Sequence, residues 1–208
     1  MPSLSPFTPD PDDAGRQLSE LEALLRDSRA EHSERNVLMP FMKERPDLTC
    51  LIAWVHGNVI LSDSCTFEHS FSGSFRCDAI VGSRKYRRYM LIEFEDAKKH
   101  SVFLKTPRTH PQWSMRLEHG VSQVFDWFQE LDDCKQTDAF AQMYGRDASF
   151  VGMVIVGRSV FLDGRQRDRL RRREESVSLR GKQVFLQTWD DVASQARDWL
   201  EFFGIRVR

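Results

Sequence analysis

Cysteine is scarce in this sequence, and its spacing excludes two common uses of the residue. Only four cysteines occur among 208 residues, and they are scattered, at Cys50, Cys65, Cys77 and Cys134. No C-x-x-C pair and no histidine at zinc-finger spacing accompanies them. We therefore expect reduced thiols in a cytoplasmic protein, with neither a disulfide framework nor a structural zinc site.

Long apolar runs and a strong net charge are also absent. The chain lacks the run of about 18 apolar residues that a membrane-spanning helix needs, and its opening residues do not form a signal peptide. The formal net charge is -1, so no overall basic field attracts nucleic acid or an anionic membrane. We expect no membrane partner, and any contact with DNA must come from local patches.

Several motifs of well-known enzymes are missing as well. The chain contains no P-loop, no G-x-G-x-x-G motif and no nucleophile elbow. Kinase, dinucleotide-binding and serine-hydrolase functions are therefore unsupported. The length fits one domain of ordinary size or one domain with a helical appendage.

The most informative stretch is a predicted pair of strands. The segments 75–81 and 89–94 are rich in β-branched and aromatic residues and are joined by a glycine-containing turn. Side chains alternate between the two faces of a strand. We therefore expect Met90, Ile92 and Phe94 to point into the core, while the intervening side chains share the other face.

Two acidic side chains stand on that other face. Glu93 and Glu95 should lie roughly 6 to 7 Å apart along the strand, and Asp78 on the neighbouring strand can approach them. Carboxylates in this arrangement can surround one hard divalent cation. A solvated acidic face, common on antiparallel sheets, is the alternative that the spacing leaves open.

Helices and a β-hairpin are predicted before these two strands. Residues 1–11 are rich in proline and are expected to form a flexible leader. Leucines at helical spacing predict an N-terminal helix within residues 12–30. A second helix begins near Ser33 with Glu34 in its first turn, where a carboxylate offsets the helix dipole. Residues 48–55 and 58–62 are predicted as strands on either side of a hairpin turn at His56-Gly57, and a polar loop over residues 63–74 follows the hairpin.

The second half of the chain predicts an amphipathic helix over residues 115–131, with Ser114 as its cap. Gly120 within it costs about 1 kcal/mol relative to alanine, which a closely packed neighbour would explain. Residues 150–156 form a run typical of a buried strand, and a final strand and helix follow from Val184 onward. One polar edge of the amphipathic helix can face the acidic strand, and it consists of His119, Gln123, Trp127 and Glu130.

Arginines crowd the helix predicted between the last two strands. A charged run is usually a solvated face, and neighbouring acids partly neutralise this one. It is nevertheless the most basic segment available for contacts with phosphates. The candidate nucleic-acid-binding residues are Arg165, Arg167, Arg169, Arg171 and Arg172.

Short pieces of sequence occur in a recognisable order between residues 31 and 203. They are Ser33-Glu34 leading to Arg45-Pro46, Arg76-Cys-Asp78, Leu91-Ile-Glu93-Phe-Glu95, Ser114 through Gln123 to Trp127, Val154-Ile-Val-Gly-Arg158 and Thr188-Trp-Asp-Asp191. Together they resemble the nuclease domain of the Shedu anti-phage defence proteins, a branch of the PD-(D/E)XK nuclease superfamily. The resemblance implies a restriction-endonuclease-like α/β domain over residues 31–208, in which helices flank a mixed β-sheet.

The resemblance also implies a metal-dependent nuclease that hydrolyses DNA, in particular phage DNA. Asp78 and Glu93 match the metal ligands, and the cofactor would be Mg²⁺ or Mn²⁺, which can activate a water to attack a phosphodiester. Glu34 matches a helix glutamate that approaches the metal through water. Gln123 matches the helix that abuts the site.

One position departs from the superfamily pattern. Glu95 stands where the superfamily places a lysine that orients the attacking water, so Glu95 would recruit a second cation or act as a base. Lys98 and Lys99 follow the strand closely. Two alternatives stay open: a nuclease fold that binds nucleic acid or a partner protein without cutting, and a plain scaffold. The oligomeric state is open too, a homo-oligomer included.

Overall fold

Helices and strands follow each other along the whole chain. The computed structural model describes residues 4–56, 59–71, 75–106 and 110–205. The α-helices are α1 (Pro11–Leu25), α2 (Met39–Lys43), α3 (Pro46–Val55), α4 (Met115–Cys134), α5 (Asp138–Tyr144), α6 (Gly164–Ser176) and α7 (Trp189–Phe202). The strands are β1 (Ser64–Ser70), β2 (Arg76–Ser83), β3 (Arg88–Phe94), β4 (Ser149–Ile155), β5 (Ser178–Leu179) and β6 (Lys182–Gln187). A π-helical turn, Glu34–Leu38, leads into α2.

The strands form a mixed sheet. Among the described residues it has six strands in the order β1-β2-β3-β4-β6-β5. Strands β1, β2 and β3 pair antiparallel, whereas β4 runs parallel to both β3 and β6. Helices pack on both faces of this sheet. The predicted class, an α/β fold with a mixed sheet flanked by helices, is confirmed.

Helices cover both faces of the central strand β3. Met90, Ile92 and Phe94 pack in one core with α1, α3 and α7, and Leu91 packs in a second core with α4. The predicted alternation of side chains along this strand is therefore confirmed. Because both faces are covered, a polar side chain on β3 is enclosed by protein rather than solvated.

Helix α4 packs very closely against the sheet at Gly120. The hydroxyl of Ser114 caps the helix by accepting a hydrogen bond from the Leu117 amide at 3.1 Å. A Cβ atom on Gly120 would lie 2.7 Å from Cγ1 of Val154 and 3.5 Å from Cγ of Glu95. The absence of a side chain therefore lets α4 reach β4 and the acidic end of β3, which accounts for a glycine inside a helix.

The described N-terminal residues pack against the sheet. Leu4 is buried, and backbone hydrogen bonds join residues 4–7 to the start of β1, so this segment is not the expected flexible leader. Helix α1 packs with α3 and α7 and ends at Leu25, within the predicted span. The buried Arg158 donates to the carbonyl oxygens of Leu25, the last residue of α1, and of Asp27 and Ala30 after it. A boundary at residue 30 would cut through one hydrophobic core.

Two predictions of secondary structure before β2 are wrong. Residues 48–55, predicted as a strand, lie in α3. Every residue from 47 to 54 is buried, so the helix lacks the polar stripe that distinguishes a helix from a buried strand. The polar stretch predicted as a loop contains β1. The other strand of the predicted hairpin, residues 58–62, does not form over its described residues 59–62, and Gly57 of the expected turn His56-Gly57 lies outside the described residues.

The close packing at Gly120 can be tested by adding one methyl group. Gly120→Ala should lower the free energy of unfolding by about 1–3 kcal/mol, the usual cost of overpacking, because Val154 must move and the gain in helix propensity is only about 1 kcal/mol. The measurement is urea unfolding followed by circular dichroism. Gly164→Ala is the control, since no atom lies within 4 Å of its added Cβ. Equal stability of Gly120→Ala and wild type would contradict the packing argument.

Candidate active site

Two buried carboxylates lie at the carboxyl end of β3. Glu93 belongs to the strand and Glu95 follows it directly. Their exposed fractions are only 6% and 1%, so the alternative of a solvated acidic face is wrong. Burying an ionised carboxylate is costly unless it finds partners. The surroundings of these two side chains therefore decide what the site can do.

Asp78 reaches Glu93 across the strand pair. The register of β2 and β3 pairs Ala79 with Ile92, so the next antiparallel position sets Asp78 opposite Glu93. The two carboxyl groups share a hydrogen bond, which requires a proton between them. Burial, and then the charges of nearby acids, raise the pKa of Glu93 far above its usual range. Burial also raises the pKa of Asp78, although Asp78 accepts a hydrogen bond of 2.8 Å from the Phe94 amide.

Glu34 joins the cluster from the π-helical turn. Its amide donates to Oδ1 of Asp96 at 2.8 Å, so the acid just after β3 holds the start of this turn in place. Burial, followed by the charges of Asp78 and Glu95, raises the pKa of Glu34 to about 7. The structure thus brings together four of the predicted catalytic residues, which are Glu34, Asp78, Glu93 and Glu95.

Two basic side chains from the first turns of α4 contact these acids. Nη1 of Arg116 lies 3.2 Å from Oε2 of Glu95 and 3.4 Å from Oε2 of Glu34. Nδ1 of His119 lies 3.1 Å from Oε1 of Glu95. Burial raises the pKa of Glu95, while the hydrogen bond from His119 and the charge of Arg116 act in the opposite direction. Each oxygen of the Glu95 carboxylate therefore faces a different basic group.

Neither Arg116 nor His119 is among the predicted site residues. His119 belongs to the predicted polar edge of α4, so helical spacing carried a signal for it. Arg116 precedes that edge, and no pattern in the sequence indicates its role. Lys98, the first lysine after β3, donates to Oδ2 of Asp96 at 2.8 Å. In the described part of the chain it forms no hydrogen bond or ion pair with Glu95.

Gln123, the other predicted catalytic residue, also lies on α4, one turn beyond His119. Its Oε1 atom is buried and has no hydrogen-bond partner within the described ranges. Hydrogen bonds between described residues do not connect it to the acidic cluster. Trp127, a further turn along, is 1% exposed and packs against Phe71, so it belongs to the core.

The predicted arginine run forms α6, and its side chains divide into two groups. Arg169 lies over the rings of Phe103 and Trp113, 4.9 Å from each centroid, and Arg173 forms a bidentate pair with Glu118. These two side chains hold α6 against α4 and the segment before it. Within the described residues, none of the α6 arginines is hydrogen-bonded or ion-paired with the acidic cluster. The exposed arginines are Arg165, Arg167, Arg171 and Arg172.

The donor atoms at the end of β3 fit a divalent cation. One ligand atom each from Glu93, Glu95 and His119 lies within 4.8 Å of the others, and Asp78 is hydrogen-bonded to Glu93. Oxygen ligands lie about 2.0–2.6 Å from Mg²⁺ or Ca²⁺, so ligands on opposite sides of one ion are about 4–5 Å apart. Carboxylates are suitable donors for such an ion.

Fold and site together define an α/β protein with a candidate carboxylate metal centre at the end of a central strand. The family model described as Shedu protein SduA, C-terminal, matches residues 31–193. The chain belongs to this family, and membership connects it with anti-phage defence. A search of the curated proteins gives no match. No helix among the described residues is both long and apolar enough to cross a membrane.

The buried acids should make the metal-free protein less stable at neutral pH than at acidic pH. An unfolded glutamate loses its proton above about pH 4.3, whereas folded Glu93 keeps it because its pKa is raised. The folded state then binds more protons than the unfolded state, so stability falls as pH rises above this value. Glu93→Gln should remove the penalty and add about 1–3 kcal/mol at pH 8.

Thermal unfolding in a chelating buffer at pH 5 and pH 8 measures this difference. Each kcal/mol should raise the Tm by about 2–4 °C for a chain of this size, with a smaller gain at pH 5. Glu118→Gln is the control, because its bidentate pair with Arg173 lowers the pKa of Glu118. That substitution should cost at most about 1 kcal/mol. If Glu93→Gln instead had a lower Tm than the wild type at pH 8, the buried Glu93 carboxyl group would be well compensated by its partners, and the prediction would be wrong.

Proposed function

We propose that this protein is a divalent-metal-dependent endonuclease that hydrolyses DNA in anti-phage defence. The observation that carries the proposal is the convergence of Glu34, Asp78, Glu93 and Glu95 in one largely buried site. Acids buried together destabilise the free protein. Carboxylates with perturbed pKa values in such a site are typical of catalytic centres.

The strand arrangement supports a restriction-endonuclease-like core of the PD-(D/E)XK type. Asp78 and Glu93, which match the family's metal ligands, come from adjacent antiparallel strands. Strand β3 is also parallel to β4, and α4 packs across the face that carries the acids. In this proposal residues 31–208 form the nuclease domain, and the preceding residues complete its core.

The acids have distinct roles in the proposed reaction. Asp78 and Glu93 would hold the cation, and Glu95 extends the set of ligands. A bound Mg²⁺ or Mn²⁺ would supply an activated water and neutralise charge on the phosphodiester. Glu34, whose pKa is about 7, is suited to accept a proton from the attacking water at neutral pH.

Arg116 would supply the positive charge that the superfamily obtains from a lysine on the strand. Glu95 occupies the lysine position, and an uncompensated acid there would repel a phosphate. The Arg116 side chain is 50% exposed and contacts both Glu95 and Glu34. Its guanidinium can therefore meet a phosphate oxygen from the open side of the cluster.

Helix α6 would contact the DNA backbone beside this site. Arg173 of α6 pairs with Glu118 of α4, two residues after Arg116, so the two helices are held together near the acidic cluster. The net charge of the chain is only -1. In the described part of the chain, the exposed arginines of α6 are the densest basic group available for sequence-independent phosphate contacts.

A second candidate function is binding of nucleic acid or a partner protein without cleavage. The observation that favours it is the engagement of both nearby basic groups by Glu95, which is itself only 1% exposed. Arg116 and His119 then balance a buried acid and leave less positive charge for a phosphate. Cleavage assays separate the two functions.

Cleavage of plasmid and linear DNA with Mg²⁺ or Mn²⁺ tests the nuclease proposal. Wild type should cut, and Asp78→Ala and Glu93→Ala should each lose at least about 100-fold in rate, the upper range for disturbing a metal site. Calorimetric titration should show the loss of Mn²⁺ binding in the same variants. Glu95→Gln should weaken cleavage and Mn²⁺ affinity together, because one charge leaves the site.

Glu44→Gln serves as the matched control, since Glu44 is 79% exposed and, among the described residues, forms an ion pair only with Arg45, at 3.5 Å. Its activity and metal affinity should equal those of wild type. If the wild-type protein binds DNA but does not cut it under any condition, the result favours the second function, binding without cleavage. Cutting that survives Glu93→Ala would sink the nuclease proposal, because it would come from a contaminant or another site.

The role of α6 can be measured as the salt dependence of DNA binding. Replacing Arg165, Arg171 and Arg172 by alanine should reduce the logarithmic slope by about 0.9 for each lost phosphate contact. Fluorescence anisotropy over a series of KCl concentrations gives the slope, with Glu93→Ala in all proteins to prevent cleavage.

A charge-matched control replaces three other exposed arginines, Arg16, Arg87 and Arg146, each of which pairs with an exposed acid away from α6. Both triple variants change the net charge equally, so an effect of overall charge would appear in both. An unchanged slope in the α6 variant would mean that the arginine run is only a solvated face.

A further inference from the structure

Among the described residues, His119 supplies the one nitrogen ligand atom that lies close to the acidic cluster. A ligand atom of His119 lies within 4.8 Å of carboxylate oxygens of both Glu93 and Glu95. Its Nδ1 atom is 3.1 Å from Oε1 of Glu95. The sequence resemblance assigns this histidine no role, and the proposed reaction does not use it.

The fold brings His119 to this place through a specific packing feature. Gly120 follows it directly and has no side chain, so α4 lies close to Glu95 and to Val154. Arg116, one turn earlier, faces the other oxygen of the same carboxylate. These two contacts of α4 therefore fix the position of the histidine beside Glu95.

A nitrogen donor changes which cations a carboxylate site prefers. Mg²⁺ favours oxygen ligands and keeps several waters, whereas imidazole suits first-row transition metals. We infer that His119 is a metal ligand, and that Glu93, Glu95 and His119 hold a first-row transition cation in preference to Mg²⁺. This inference rests on the proposed metal-dependent function and specifies its cofactor.

A purely structural role for His119 leads to a different expectation for metal binding. Its side chain is 59% exposed, and in a purely structural role it would only hydrogen-bond the buried Glu95 carboxylate. In that case replacing the histidine would leave the relative affinity for different cations unchanged. The preference between two metals is therefore the quantity that separates the two roles.

The experiment uses Mn²⁺ as the probe and the full-length protein. Pulsed electron paramagnetic resonance of the Mn²⁺-loaded wild type should show coupling to a ¹⁴N nucleus, and His119→Gln should lose that coupling. Calorimetry should show a preference for Mn²⁺ over Mg²⁺ that falls by about 10- to 100-fold in His119→Gln, with Mg²⁺ affinity almost unchanged. His100→Gln, which removes another exposed histidine, should behave like wild type.

Absence of nitrogen coupling in wild type, or the same metal preference in His119→Gln, would overturn the inference. That result could accompany full cleavage that depends on Glu93, and the nuclease proposal would then stand without it. Conversely, nitrogen coupling in a protein that never cuts DNA would support the ligand and refute the nuclease. If neither Mn²⁺ nor Mg²⁺ bound to the wild-type protein, both the inference about His119 and the proposal of a metal-dependent nuclease would be refuted.

Discussion

Holding several carboxylates out of water at the end of one strand is the constraint that shapes this structure. Each ionised group loses hydration and needs a partner within hydrogen-bond distance. Asp78 and Glu93 interact through a hydrogen bond, and Glu95 is placed between Arg116 and His119. These partners balance only part of the negative charge, because Glu34 lies in the same cluster and its pKa is also raised. In the proposed function, a bound cation would complete this charge balance.

The layers around β3 are arranged to keep that strand end fixed. On one side α4 lies against it at Gly120. On the other side the indole of Trp189, the first residue of α7, donates to the Glu95 carbonyl at 3.0 Å. Asp96 holds the turn that carries Glu34. Helices from both layers and the turn before α2 thus meet at one point, so the site rests on rigid elements and not on a loop.

Local spacing in the sequence was enough to predict the parts of this arrangement that depend on periodicity. The alternation along β3 and the apolar stripe of α4 each specify which side is buried, and both predictions are confirmed. Helix α3 could not be recognised, because it is buried on nearly all sides and has no polar stripe. The partners of Arg116 could not be found either, since they lie 21 and 82 residues away.

The roles of the arginines in α6 could also not be predicted fully from the local sequence. Its helix was predictable, but Arg169 is held by Phe103 and Trp113, which come from an irregular segment without any periodicity. Composition alone assigned all five candidate arginines to phosphate contacts. The fold uses Arg169, one of those five, in packing, so the density of charge in a sequence overstates the charge that is free at the surface.

Glu95 is best understood together with the helix that faces it. A lysine on the strand would place one cation beside Glu93, fixed by the strand's pleat. Here the strand provides an acid, and the cation comes instead from Arg116 on α4, with His119 one turn later. Both basic side chains depend on the close approach at Gly120, so the acid, the arginine, the histidine and the glycine form one unit. The charge near the proposed phosphate position is therefore relocated from strand to helix, and the departure from the superfamily pattern at one residue does not by itself imply loss of catalysis.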